Sequence, residues 1–333
     1  MAKQMHIRIL QAGMLSTVQD LGRRHYLSQG VPVAGVMDRL SARIANQAVG
    51  NDKHAAVIEF TYGGAAFHAE SDLLLAYSGE GAILETDSRH LPSDRPIFIP
   101  KGTKIRLTDT STGCYTYLAI AGGWDVPDIL DSRSTYLPAA FGGVQGRPLH
   151  KGDVLRAMEP PASVRQWMIR LAGKTIRYPK WGISHRAFLP TNRQVVRVVP
   201  GPEFNWFEGQ SVVNFLSVPF RITTQSNRMG YRLEGPPMRS HTRRELLSTA
   251  VASGTIQVTG AGKLIVLMAD SQTTGGYPRI AQIAAVDMPL CAQRRPGDEI
   301  FFREISQTEA EKLYLHQEEQ FRKLSVAWDM NHT

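Results

Sequence analysis

Only two cysteines, Cys114 and Cys291, occur in 333 residues. That is too few for a disulfide scaffold, and a chain of this length needs none. Both read as reduced core residues, which places the chain in the cytoplasm. Long apolar runs are missing too. The longest, such as Leu264 to Ala269, fall far short of the roughly 20 residues of a spanning helix. The start, Met1 to Leu10, lacks the apolar centre of a secretion signal, so no membrane association is expected. No CxxC pair is present, and the ten histidines show no HExxH or similar spacing, so no metal site is expected. The absence of a GxSxG elbow leaves serine-hydrolase chemistry unsupported. Two words that end like a phosphate-binding loop both fail. Gly173-Lys174-Thr175 has Met168 in place of the first glycine, and Gly262-Lys263 has Gln257 there and Leu264 where a hydroxyl is needed. A Met-Lys-Met attachment word is also absent, so this chain carries no covalent biotin.

Against these absences stand 42% hydrophobic and 20% charged residues. That balance rules out a disordered bulk and, at this length, favours two domains. Short β-type runs dominate, among them Met5 to Leu10, Leu73 to Ser78 and Tyr115 to Ala121, then Val195 to Val199, Lys263 to Ala269 and Glu299 to Arg303. Glycine, proline, aspartate or serine bounds each one, which predicts a mainly β protein of barrels or sandwiches with few short helices. One helix is expected where Met37, Leu40, Ile44, Ala45 and Ala48 share a face and Gly50-Asn51 ends it. Another covers Thr308 to Leu324, with fraying from Ser325 onward. The expected organisation is an N-terminal domain over 1–160, an ordered connector over 161–194, a second domain over 195–306, and a C-terminal helix and tail over 307–333. The order strand, Gly-Gly-aromatic, Pro, Gly-Asp, strand occurs at 118–155 and again at 266–300, which points to an internal duplication.

The net charge of +8 favours acidic partners or anionic substrates. No dense Lys/Arg run appears, so nucleic acid is not an expected partner.

Four polar segments stand out. Asp270, Ser271, Gln272, Thr273, Thr274, Gly275, Gly276, Tyr277 and Pro278 separate two apolar strands. The glycines let backbone N–H groups approach a ligand, which suits a small polar substrate bearing a carboxylate or amide. The same residues equally suit a hairpin loop whose hydroxyls satisfy its own backbone. In 225–233, Asn227, Arg228, Tyr231 and Arg232 form the second segment. If it is extended, Arg228 and Arg232 share one side and can clamp an anion in fork geometry; otherwise both lie on an exposed face. The third holds Asp38, beside a helix start, where a carboxylate serves as a cap or meets the positive end of the dipole. The fourth is Asp131 to Thr135, in which Arg133 and Ser134 suit either an anion site or a polar turn. No catalytic base is singled out.

These segments resemble the C-type subunits of 5-oxoprolinase, a family also described as biotin-dependent carboxyltransferase, allophanate hydrolase subunit 2 or KipA-type proteins. The matching words are STVQDLGR at 16–23, GVMD at 35–38, ANQAVGN at 45–51, Glu59, YLAIAGGWDVP at 117–127, SRST at 132–135, SNRMGYRL at 226–233, ELLS at 245–248, GTIQV at 254–258 and DSQTTGGYP at 270–278. The resemblance implies two cyclophilin-like β-barrel domains. It also implies two partners, a KipI-type protein (the B-type member of the complex) and a lactam-utilisation protein (the A-type member). The implied cofactor is ATP with Mg, held on this chain or on a partner. The implied reaction opens 5-oxo-L-proline to L-glutamate, with the chain inactive alone. A carboxyltransferase half-site acting on a urea-like acceptor and a non-catalytic KipA-type regulator are the alternatives. Tyr77, Ser78, Glu80, Asp131 and Thr259 depart from the usual pattern.

Overall fold

The computed structural model describes residues 4–87, 89–190, 193–242 and 246–332. Glu245 of the ELLS word lies outside them. The chain divides into two compact units: Met1–Arg23 with Asp38–His185 and Phe321–Thr333, and Arg24–Met37 with Arg186–Gln320.

In the first unit, ten strands make two antiparallel five-stranded sheets. One runs Val154–Arg156, His6–Ala12, Ala65–Ala69, Lys104–Asp109, Ala82–Glu85 in spatial order. Its first long strand alternates, with Ile7 and Ile9 buried between less buried His6, Arg8 and Leu10, as a half-covered sheet requires. The other runs Leu15–Gln19, Val57–Thr61, Tyr115–Ile120, Leu73–Gly79, Ile97–Ile99. Here Leu73 to Ser78 and all of Tyr115–Ile120 are buried. Alternation disappears because the helix Arg39–Ala48 packs on these strands. That helix forms where its apolar face predicts. Leu40, Ile44, Ala45 and Ala48 are buried, and Asp38 caps the start by accepting from the Ser41 N–H at 2.9 Å.

The second unit closes seven strands into a barrel: Val195–Pro200, Arg279–Ile283, Thr255–Val258, Leu264–Leu267, Gly230–Glu234, Phe220–Ile222 and Glu299–Glu304. The last pairs parallel with the first, and closure leaves no open edge in that barrel. Phe215, on the helix Gly209–Ser217, stacks on Phe302 at 4.8 Å between centroids. The mainly β architecture is as expected. Barrel closure belongs to the second unit, and the first keeps its strands in paired sheets.

Within residues 161–190 a helix forms over Ala162–Leu171, with Val164 and Trp167 buried. The C-terminal helix is longer than expected. It runs Gln307–His332, straight through Ser325, where the sequence predicts fraying. Two contacts extend it. Ser325 Oγ donates to Gln47 Oε1 at 3.0 Å, and the buried Trp328 meets Trp167 edge-on at 5.4 Å and Trp181 at 5.8 Å. Gly50 makes room for that indole. A Cβ there would stand 2.6 Å from Trp328 Nε1, and the backbone at φ 70° is left-handed.

Candidate functional site

In the second unit the 225–233 and 270–278 segments meet. Arg228 Nε donates to Asp270 Oδ2 at 2.8 Å, and Nη2 donates to Oδ1 at 3.0 Å and to the Gly35 carbonyl at 2.6 Å. The Asp270 N–H donates back to the Arg228 carbonyl at 2.9 Å. The expected pairing of Arg228 with Arg232 on one side does not occur. Residues 227 and 230 exchange backbone hydrogen bonds in a turn, so the strand begins only at Gly230. Arg228 is buried ahead of it, and Arg232 is exposed on the strand. Asn227 Oδ1 closes the turn by accepting from Met229 N–H at 2.8 Å. Tyr231 faces the core and donates to the Ala292 carbonyl at 3.1 Å. The arginine that the sequence suggests as an anion clamp therefore already holds a carboxylate of its own chain, joining the two loops and the 24–37 segment of the same unit.

Beyond Asp270 the loop opens to solvent. Gln272, Thr274, Gly276 and Tyr277 are exposed and Thr273 half-buried. Thr274–Gly275 pair antiparallel with Thr249–Ala250. Under this ladder lies Gln257, which in the sequence belongs to the GTIQV word and to a failed phosphate-loop word but has no role of its own. Gln257 is buried in the middle of Thr255–Val258. A Cβ on Gly275 would fall 2.5 Å from its Nε2, so a side chain there would push the Gln257 amide aside. Among the described residues, neither Gln257 Nε2 nor Thr249 Oγ1 has a hydrogen-bond partner. Buried polar atoms are nearly always paired. Two orphan donors thus lie beside this two-residue ladder, and a carbonyl or carboxylate oxygen would satisfy either. A buried amide between Ile256 and Val258 is the signal that sequence offers for this place.

In the first unit, Arg133 and Ser134 belong to a turn clamped on Asp20. The Asp20 carboxylate accepts from the Ser132 hydroxyl at 2.7 Å, the Ser134 hydroxyl at 2.5 Å, the Arg133 N–H at 2.6 Å and the Gly22 N–H at 2.8 Å. The Arg23 guanidinium donates to the Ser134 carbonyl at 2.6 Å and lies 4.7 Å over the Phe141 ring. Asp38 is occupied as the helix cap. The polar turn and the cap, both open alternatives from sequence, are thus the geometry these residues adopt.

A second arrangement in this unit has no motif to announce it. Thr17 pairs with Glu59, Glu59 with Tyr117, and Tyr117 with Ser78. Paired residues share a face, so a buried polar row crosses the sheet. Asp38 adjoins it, its N–H donating to the Tyr117 hydroxyl at 2.7 Å. Burial, with the charges of Glu59 and Asp38, holds the Tyr117 phenol well above its ordinary pKa. At the far end Ser78 Oγ lies 3.2 Å from His185 Nε2, and His185 Nδ1 lies 3.4 Å from Asp94 Oδ2. Burial pulls the imidazole pKa down. The Asp94 hydrogen bond and the charges of Asp94, Asp38 and Glu80 outweigh that and hold it above its usual value. Register alone brings these side chains to one face, and their strands hold other polar residues such as Ser16 and Thr116, so nothing in the sequence marks the row.

With both units described, the class can be stated: the chain belongs to the carboxyltransferase domain family, subdomains A and B, whose model matches residues 29–304. Within that class it is 38% identical over 98% of its length to the C subunit of 5-oxoprolinase from Escherichia coli, covering 99% of that protein. It is also 31% identical to the urea amidolyase of Lachancea kluyveri over 92% of this chain and 17% of that one. The crystal structure of the K. lactis urea amidolyase superimposes with a TM-score of 0.85 at 27% identity, over 97% of this chain. The chain spans only 20% of that larger enzyme.

Proposed function

We propose that the chain is one member of a 5-oxoprolinase complex, acting with B-type and A-type subunits to open 5-oxo-L-proline to L-glutamate at the expense of ATP, and inactive alone. The end-to-end similarity to a protein named as the C subunit of 5-oxoprolinase carries this reading. The chemistry is compatible. A lactam presents a ring carbonyl and a carboxylate, and in the second unit the Gln257 amide and Thr249 hydroxyl beside Gly275 offer donors for such oxygens. Ring opening breaks the lactam C–N bond. Water adds to the carbonyl carbon and the nitrogen takes up a proton.

The two phosphate-loop-like words do not fit a nucleotide. Gly173 follows the helix Ala162–Leu171 instead of opening one. Gly262 sits in a turn, its N–H donating to the Thr259 carbonyl at 2.8 Å. We therefore assign ATP and Mg to a partner polypeptide and derive no step through them here. No described helix is long and apolar enough to cross a membrane, and we place the assembly in the cytoplasm.

Mixing the purified chain with B-type and A-type subunits from the same organism tests the reading. Glutamate should form from 5-oxoproline and ATP–Mg only in the complete mixture, and an inert complete mixture rejects it. A carboxyltransferase half-site is the second reading, favoured by the likeness to urea amidolyase. Carboxyl transfer to urea from a supplied carboxybiotin carrier would select it.

A further inference from the structure

The excess positive charge is not as scattered as it first reads. Residues 160–202 contain eight of the 38 Lys and Arg and no Asp or Glu, leaving 30 basic against 30 acidic residues in the rest of the chain. The whole net charge of +8 resides in this stretch. Its first part, through His185, belongs to the first unit.

There the backbone is pinned. The helix Ala162–Leu171 buries Val164 and Trp167. Further on, Phe98 N–H donates to the Arg177 carbonyl at 2.8 Å, and Arg177 N–H to the Phe98 carbonyl at 3.2 Å. The segment thereby covers the edge strand Ile97–Ile99. Arg95 Nη1 donates to the Lys180 carbonyl at 3.1 Å, and Ile183 N–H to the Asp94 carbonyl at 2.8 Å. What this fixed backbone turns outward is apolar and cationic together. Ile169 is 74% exposed, Trp181 42% and Tyr178 38%. Trp181 is nonetheless held at 6.2 Å from Trp167 and 5.8 Å from Trp328. Arg170, Lys174 and Lys180 are exposed and, among the described residues, make no ion pair. Elsewhere in the chain Arg147, Arg197, Arg228 and Arg279 are each matched by a carboxylate.

We propose that residues 162–184 form a docking surface for the carboxylate-rich face of a partner polypeptide. Ile169, Tyr178 and Trp181 are its apolar anchors, and Arg170, Lys174 and Lys180 its charge contacts. Charge complementarity selects the partner, since a local excess of cations with no counter-ion of its own attracts and orients an acidic surface. The anchors are of the type that concentrates binding energy in protein interfaces, a rigid tryptophan and tyrosine beside arginine. A pinned backbone and a wedged indole lose little freedom on binding. Nucleic acid fits less well. A non-specific grip draws on about 6–10 phosphate contacts, more than the exposed cations without an ion pair here supply, and the outward Ile169 has no role against a phosphate backbone.

The inference rests on the assembly reading only for the partner's identity. Binding of the chain to the B-type and A-type subunits of the same organism is measured by surface plasmon resonance at about 50 and about 300 mM salt, across which exposed charges are progressively screened. The triple variant Arg170→Glu, Lys174→Glu, Lys180→Glu should bind at least about tenfold more weakly, chiefly through a slower association rate. Ile169→Asp should weaken binding by a similar factor through faster dissociation, with melting temperatures showing both variants folded. Wild-type binding should itself weaken as salt rises. The inference falls if the wild type binds neither subunit, if the triple variant binds as well as the wild type, or if the triple change abolishes binding of a single-stranded RNA 20-mer while leaving the subunits bound. Turnover of 5-oxoproline is followed in parallel. A complex that forms through this surface but makes no glutamate overturns the proposed reaction and leaves the docking surface standing.

Discussion

The Asp20 turn of the first unit and the ladder region of the second treat buried polar groups in opposite ways, although the first unit too leaves Gln19 Oε1 and Asp94 Oδ1 without partners among the described residues. In the first, the Asp20 carboxylate is met by four donors, two from hydroxyls and two from backbone N–H groups. In the second, the Arg228–Asp270 pair is just as fully matched, yet a few residues away Gln257 Nε2 and Thr249 Oγ1 are left without partners among the described residues. A satisfied network holds loops in place and has nothing left to offer a ligand. Unsatisfied buried groups cost stability and persist where something else repays them. That contrast, more than the number of polar residues in a loop, separates scaffold from candidate site.

The contrast can be broken by substitution. Arg228→Ala should be the most damaging change, because it strands a buried carboxylate. Loss of one partner of such a pair costs about 3–5 kcal/mol, read as a lower denaturant midpoint, and a variant as stable as the wild type would show the pair to be ornamental. Asp20→Ala should follow at about 2–3 kcal/mol, since it removes a charged acceptor from several donors at once. His185→Gln should cost about 1 kcal/mol, and its cost should depend on pH. The folded imidazole has a raised pKa, so its contribution is complete below the unfolded value of about 6.5 and is lost as pH rises through the folded pKa. The wild type and variant should therefore converge in stability on the alkaline side, and a constant difference across pH would refute the linkage. Gln257→Leu should change stability least, by less than about 1 kcal/mol, because an unpaired donor is exchanged for an apolar side chain of similar size. Its effect should appear in turnover of the complete assembly instead, as a loss of about tenfold or more. Equal losses of stability and turnover would place Gln257 with the scaffold.

Much of the fold can be read from sequence because it is local. The helix over 39–48 follows from one apolar face, an aspartate before it and Gly50-Asn51 after it. The strand-rich halves follow from short runs between glycines and prolines. The second helix at 162–171 is hidden because proline at 160 and 161 and scattered cations dilute its period. The end of the C-terminal helix is hidden for a different reason: what sustains it past Ser325 is an indole meeting Trp167, more than 150 positions earlier, and no window of sequence carries that contact. The site is legible in part. The segments around Asn227 and Gln272 do meet, but the arginine offered to a ligand is taken by Asp270, because a turn at 227–230 breaks the period-two assumption. Gln257, Glu59, Tyr117, Ser78 and His185 do not stand out as site residues, since nothing in the sequence sets them apart from the other polar residues around them. Only cross-strand register and close approach reveal them.

The composition of the units has a consequence for how the protein is made. The first unit takes its last segment from Phe321 onward, and the second takes Arg24–Met37 from near the beginning. On the ribosome, neither unit can finish when its own bulk has emerged. The pocket that Gly50 and Trp167 leave for Trp328 stays empty until the chain has been made as far as Trp328. Fragments cut at any single peptide bond between 161 and 194 should therefore both be incomplete, and a stop codon placed just before Trp328 should injure the half of the molecule that was synthesised first.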